Sequence, residues 1–256
     1  MSKNNKDIFL IILIIITIIS VLAGLYIHVF SKMNLNFNFS STNDTVVIKD
    51  KINSLEIDLD MGEIEVLYGD ELSVNYETLE SLRPNISTAG GALIIKSNSD
   101  NKINFFPFFD INAGKIKVTL PKNQTLTSAR INSDFGEVKL NDIKSNSLSV
   151  KIDAGNLELK NSDVPEMKLN SDAGNISLTN TTAKNLNIST DAGNISLDNS
   201  SIDYLTASLD AGNISATAST IKGGTCKSDL GNISLNGEIG NVQTSTSLGN
   251  VTINGK

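Results

Sequence analysis

Six aspartates recur at one spacing. Asp134, Asp153, Asp172, Asp191, Asp210 and Asp229 are each nineteen residues apart, four of them inside the tetrapeptide Asp-Ala-Gly-Asn. If each lies in the same turn of a stacked repeat, neighbouring carboxylates sit about 5 Å apart, and even in water they repel by about 1 kcal/mol per pair. A hard cation between them would relieve that repulsion, and Ca²⁺ takes carboxylate oxygens readily. The column is therefore a candidate Ca²⁺ site. The opposing expectation is scaffolding, in which each Asp accepts a hydrogen bond from an N–H two residues on and closes its own turn. The period and the Asp placement do not match the nonapeptide Ca²⁺ repeat of β-rolls.

Little else in the chain could do chemistry. There is one His, His28, and it lies in an apolar run, so neither a His-based triad nor a His-rich metal site can be assembled. The single Cys, Cys226, excludes an intrachain disulfide and falls on an inward-facing strand position, as a small buried apolar residue would. No P-loop or dinucleotide-binding glycine pattern occurs, and no pair of carboxylates is singled out in a cleft. The sequence therefore predicts no enzyme, no catalytic residue and no cofactor. Phe105, Phe106, Phe108 and Phe109 flank Pro107 and interrupt the repeats. They are expected either to fold back over the core or to form an exposed apolar patch that binds a partner. Outward strand positions are Ser, Thr, Asn, Lys, Glu and Asp, with Tyr204 nearly alone as an outward aromatic, so no aromatic row marks a sugar-binding surface.

The elements that must carry these residues are legible in the glycine spacing. Gly136, Gly155, Gly174, Gly193, Gly212 and Gly231 are nineteen residues apart, and Gly249 follows after eighteen. Two and four residues after them come apolar pairs such as Leu157/Leu159, Ile176/Leu178 and Ile195/Leu197, separated by polar residues. That period-2 alternation predicts a strand with one buried face. A second strand follows, with Leu148/Val150, Met167/Leu169 and Leu186/Ile188 facing inward. Each unit is strand, turn, strand, turn, and one unit cannot bury its apolar face alone. The predicted fold is all-β, a single-stranded parallel β-helix or β-solenoid with 19-residue rungs. Asp60-Met61-Gly62-Glu63-Ile64-Glu65-Val66 carries the same pattern, and the segments at Gly91 and Gly114 read as degenerate copies. Counting these gives about ten rungs and a rod of about 45–50 Å. Asn156, Asn175, Asn194, Asn213, Asn232 and Asn250 follow each Gly and should form an Asn ladder.

Residues 8–30 contain no Asp, Glu, Lys or Arg. As a helix they span about 34 Å, enough to cross a bilayer. The expected organisation is a cytoplasmic N-terminus at 1–7, a transmembrane anchor at 8–30 and a stalk at 31–44. Irregular rungs with the Phe-rich loop then occupy 45–135, and regular rungs 136–256. Lys3 and Lys6 place the N-terminus in the cytosol and the rest outside a single-pass cell membrane. A cleaved signal peptide ending near Val21-Leu22-Ala23 is the rival reading. The net charge of −7 argues against a nucleic-acid partner.

Residues 45–256 resemble a bacterial β-strand-repeat family of unknown function called "putative adhesin", which includes LiaG-like membrane proteins. The likeness rests on Gly62-Glu63-Ile64, on Ile116-Lys117-Val118-Thr119-Leu120-Pro121-Lys122, and on the Asp-x-Gly-Asn-Ile turns. It implies a membrane-tethered surface solenoid in Gram-positive bacteria, with a cell-envelope role and no catalytic residues. The expected function is a non-catalytic surface module for adhesion or envelope sensing, with a protein or envelope partner. The alternatives are a polysaccharide-active β-helix enzyme and a structural stalk that self-associates through its C-terminal end rung.

Overall fold

A computed structural model describes residues 41–98, 114–122 and 124–255. The expected membrane span and the Phe105–Phe109 segment lie outside them. Among the described residues there are nineteen strands and one three-residue 3-10 turn, Glu80–Leu82. No described helix is long and apolar enough to cross a membrane. The fold is a β-solenoid of about seven turns, fewer than the ten counted in the glycine pattern. At the rung spacing of a parallel sheet that is about 34 Å.

The regular part alternates long and short strands. The long ones are β8 (Leu126–Phe135), β10 (Ser145–Ala154), β12 (Glu166–Ala173), β14 (Thr182–Ala192) and β16 (Ser201–Ala211). The short ones are β9 (Val138–Asn141), β11 (Leu157–Lys160), β13 (Ile176–Thr179) and β15 (Ile195–Asp198). Every neighbour is parallel and in register. Leu157 lies between Val138 and Ile176, and Leu148 between Ala129 and Met167. This places like residues on like residues, so Ile, Leu and Val form continuous inward columns that are almost wholly buried. Each fully buried aliphatic side chain contributes roughly 1.5–3 kcal/mol. The nineteen-residue step holds only in the middle of the stack. Between β17 (Ile214–Leu230) and β18 (Ile233–Leu248) the register shifts at Ala216/Ser219. The last step, to β19 (Val251–Gly255), is eighteen, pairing Ile233 with Val251.

The N-terminal part departs from simple succession. β2 (Ser54–Met61) and β3 (Glu63–Gly69) stack on β8 and β9, as the first turn motif predicts. However, β6 (Ala92–Lys96) and β7 (Lys115–Pro121) stack on the other side of that rung, with Leu55 on Leu93 and Ile64 on Ile116. The first rung in sequence is thus the second in space. Beyond it the pairing turns antiparallel. β4 (Ser73–Leu79) pairs with β7, β1 (Ser41–Val47) with β4, and β5 (Asn85–Ala89) with β6. These hairpin-like strands occupy the open edge of the outermost rung, the edge that would otherwise offer a template to another chain. Tyr76 of β4 is buried there, beneath the Arg83 guanidinium 5.9 Å from its ring centre. β1 begins inside the stretch expected as stalk.

Candidate functional site

The turn that carries the repeated Asp is built by close backbone approach. Gly155, Gly174, Gly193, Gly212 and Gly231 have φ between +141° and +151°. A Cβ on Gly174 would stand 1.8 Å from the carbonyl oxygen of Gly155, and the other repeat glycines are as crowded. Glycine is required here for space as much as for φ. The turn amides are all taken by the neighbouring rungs. Gly174 N donates to Ala192 O at 2.8 Å, Asn175 N to Asn156 Oδ1 at 2.9 Å, and Ile176 N to Asn194 O at 2.9 Å. Asn175 Nδ2 also donates to Asn156 Oδ1, at 3.1 Å, and the ladder continues through Asn194, Asn213 and Asn232.

The aspartates therefore have no amide left to accept from. Among the described residues Asp172, Asp191, Asp210 and Asp229 make no hydrogen bond or ion pair, while Asp153 pairs with Lys151. The register stacks them as expected, since their neighbours Ala154, Ala173, Ala192 and Ala211 pair in succession. Crowding is visible at Asp134. Burial, then the carboxylates of Asp153, Asp60 and Asp58, push its carboxyl above the ordinary value despite Lys151. Among the described residues no three His, Cys, Asp or Glu side chains are grouped to hold a metal ion.

A second corner escapes the period-2 reading. Asp142, Asn161, Asn180, Asn199 and Ala218 are nineteen residues apart, and all have φ between +47° and +60°. Asn and Asp tolerate that left-handed conformation best among residues with a Cβ. Asn180 Nδ2 donates to Asn161 Oδ1 at 3.0 Å and Asn199 Nδ2 to Asn180 Oδ1 at 2.6 Å, so there are two Asn ladders. Just after it, Ser162, Thr181, Ser200 and Ser219 point inward and are buried. Ser200 Oγ donates to Asp198 O at 3.0 Å and accepts from Thr181 N at 3.2 Å. The sequence signal was present as a polar column of fixed period, but polar residues were assigned outward. Cys226 lies where expected, fully buried beside Ala207, and burial pushes its thiol up to about 12.

The outer face of the long strands holds a shallow groove of about 530 Å³ across β8, β10, β12, β14 and β16. Ser147, Ser149, Arg130, Lys168, Asn185 and Tyr204 are among its lining. Tyr204 is 53% exposed. Arg130 and Lys168 make no ion pair among the described residues, whereas Lys139, Lys151 and Lys160 on neighbouring rungs do. Glu166 accepts from Asn185 Nδ2 at 2.8 Å.

Parallel rungs, paired Asn corners and tight glycine turns define an all-β solenoid fold. The chain belongs to the Toastrack DUF4097 family, whose model matches residues 52–255. This agrees with the resemblance read from Gly62-Glu63-Ile64 and the repeated turns. Solved structures are similar to the chain at low identity. One described as a putative lipid binding protein from Parabacteroides distasonis is 17% identical with a TM-score of 0.50, over 86% of this chain and 96% of its own. A putative adhesin from the same species is 15% identical with a TM-score of 0.48, over 84% and 97%. One from Bacteroides fragilis is 14% identical with a TM-score of 0.45, over 83% and 96%. No curated protein matches the chain.

Proposed function

We propose that the chain is a membrane-anchored extracellular solenoid that acts as a non-catalytic binding module at the cell envelope. Residues 8–30 anchor it, and the rungs present long polar ladders outward. The observation that carries the reading is the tightness of the turns. From residue 126 to 255 strands are joined by short connections, so no long loops wall off a water-excluding cleft of the kind hydrolysis needs. Ladders of Ser, Thr and Asn on a rigid frame suit contact with an extended polar partner.

The test uses the full chain in cells, with single cysteines introduced as Asn4→Cys and Thr252→Cys. Buried Cys226 should stay unreactive. A membrane-impermeant maleimide should label the Thr252→Cys protein in intact cells and the Asn4→Cys protein only after lysis. The reverse pattern, or release of the protein from membranes by a salt wash, would overturn the reading.

End-to-end self-association is a second reading with one observation in its favour. β19 pairs only with β18 among the described residues, and Leu248, Val251 and Ile253 are 69%, 42% and 44% exposed. A concentration-dependent dimer that Ile253→Lys abolishes would support it; a monomer at every concentration would exclude it.

A further inference from the structure

We infer that the groove across β8–β16 binds an acidic polysaccharide laid along the solenoid axis. This rests on the envelope-module reading and adds to it a ligand class and a place. Three features converge on that one face.

The first is geometry. The groove crosses five consecutive long strands. A polymer lying along it meets a new rung about every 4.8 Å, over a length of about 19 Å. Its volume of about 530 Å³ is within the range of sites that bind small ligands or polymer segments.

The second is charge. Arg130, Ser149 and Lys168 are successive partners in one row. The two cations therefore stand on either side of a serine, with backbones roughly 10 Å apart. They are exposed and make no ion pair among the described residues, in a chain whose net charge is −7. A carboxylate or other anionic substituent seated over Ser149 would be approached by a guanidinium from one side and an ammonium from the other, with a hydroxyl below.

The third is the far end. Ser147, Glu166, Asn185 and Tyr204 form the adjacent row in register. Tyr204 offers a half-exposed aromatic face, on which the apolar side of a sugar ring can stack while its hydroxyls meet Asn185 and Asn187. One aromatic platform, amides, hydroxyls and two cations with no ion pair among the described residues, against the single carboxylate of Glu166, which Asn185 engages, suit a charged polyol. A nucleic acid would need a basic stripe and more aromatics. A peptide adding as a strand would need an open edge, and β8–β16 are all paired on both sides.

The experiment is affinity electrophoresis and calorimetry of the full chain in detergent, with polygalacturonate as the carboxylated polymer and dextran as the neutral one. Polygalacturonate should bind, with affinity falling as salt rises, and dextran should not. The Arg130→Gln/Lys168→Gln protein should bind at least tenfold more weakly, about 1.4 kcal/mol, and lose most of the salt dependence. Tyr204→Ala should weaken binding three- to tenfold, while Ser196→Ala on the short strand β15, away from the groove, should change nothing. All four positions are on the outside, so unchanged melting temperatures would show that the fold is kept. No binding of polygalacturonate, equal binding of dextran, or binding indifferent to these substitutions would overturn the proposal. Cosedimentation of the full chain with isolated envelope polymer separates the two readings. If it persists in the groove variants, the groove is wrong and the envelope module stands. If it is absent while polygalacturonate still binds at the groove, the groove stands and the envelope reading falls.

Discussion

Gly174 and Gly90 both have positive φ, yet they differ in kind. A Cβ at Gly174 meets the Gly155 carbonyl at 1.8 Å, whereas one at Gly90 has nothing within 4 Å. Gly90→Ala should cost only the left-handed strain, about 1–2 kcal/mol. Gly174→Ala must also push two rungs apart and should cost more than about 4 kcal/mol, a loss reserved for broken cores and strained backbone. Urea unfolding of the two variants measures the difference; equal losses would mean that φ alone explains the repeat. Ala218 offers the converse test. It occupies the left-handed corner at φ 50° where its stacked counterparts are Asn or Asp. Ala218→Asn should raise stability by about 0.5–1 kcal/mol by relieving that strain and lengthening the second Asn ladder. The Asp-Ala-Gly-Asn motif was legible as a stacked turn because its spacing is fixed. That its Asp closes no turn was not, because the turn amides bond to rungs nineteen residues away rather than within the turn.

At the scale of the strand and its corner, two kinds of buried hydroxyl separate. Ser200 both donates and accepts inside the stack, while Ser171 Oγ is buried with no partner among the described residues. Ser200→Ala should cost about 1–3 kcal/mol, and Ser171→Ala should be neutral or mildly stabilising. Charge on the strands gives a pH test of opposite signs. Burial pushes the Glu63 carboxyl up, but Lys139 at 3.1 Å and Lys115 at 3.2 Å outweigh it and hold it below its ordinary value of 4.5. A depressed carboxylate favours the fold above its unfolded pKa, and that contribution is lost as pH falls through the folded value. Asp134 is raised from 3.8, so it binds its proton more tightly when folded and detracts from stability as pH rises through that value. At pH 7 Glu63→Gln should lower the melting temperature, and Asp134→Asn should raise it by roughly 1–2 °C. Both differences should vanish well below pH 4, and a melting series against pH reads them directly. Period-2 alternation made these strands readable, because one buried face leaves a pattern in any order of stacking. It could not show the inward Ser/Thr column, whose polarity looks like a surface until its hydrogen bonds are seen.

For the whole molecule, the order of rungs was the illegible part. β6 and β7 carry the same apolar alternation as every other rung, so nothing local says that they lie above β2 and β3 rather than after them. The antiparallel cover of β1, β4 and β5 is likewise set by long-range pairing. What the arrangement leaves, among the described residues, is a stack with one covered end and long strands whose outward positions are mostly polar, and the proposed function lies on those strands. The most direct measurement is cosedimentation of the full chain with cell-envelope polymer isolated from the source organism, with soluble sugar fragments assayed in the supernatant. A non-catalytic binding module should sediment saturably and release no fragments. Failure to sediment, or steady release of fragments by the purified chain, would contradict it.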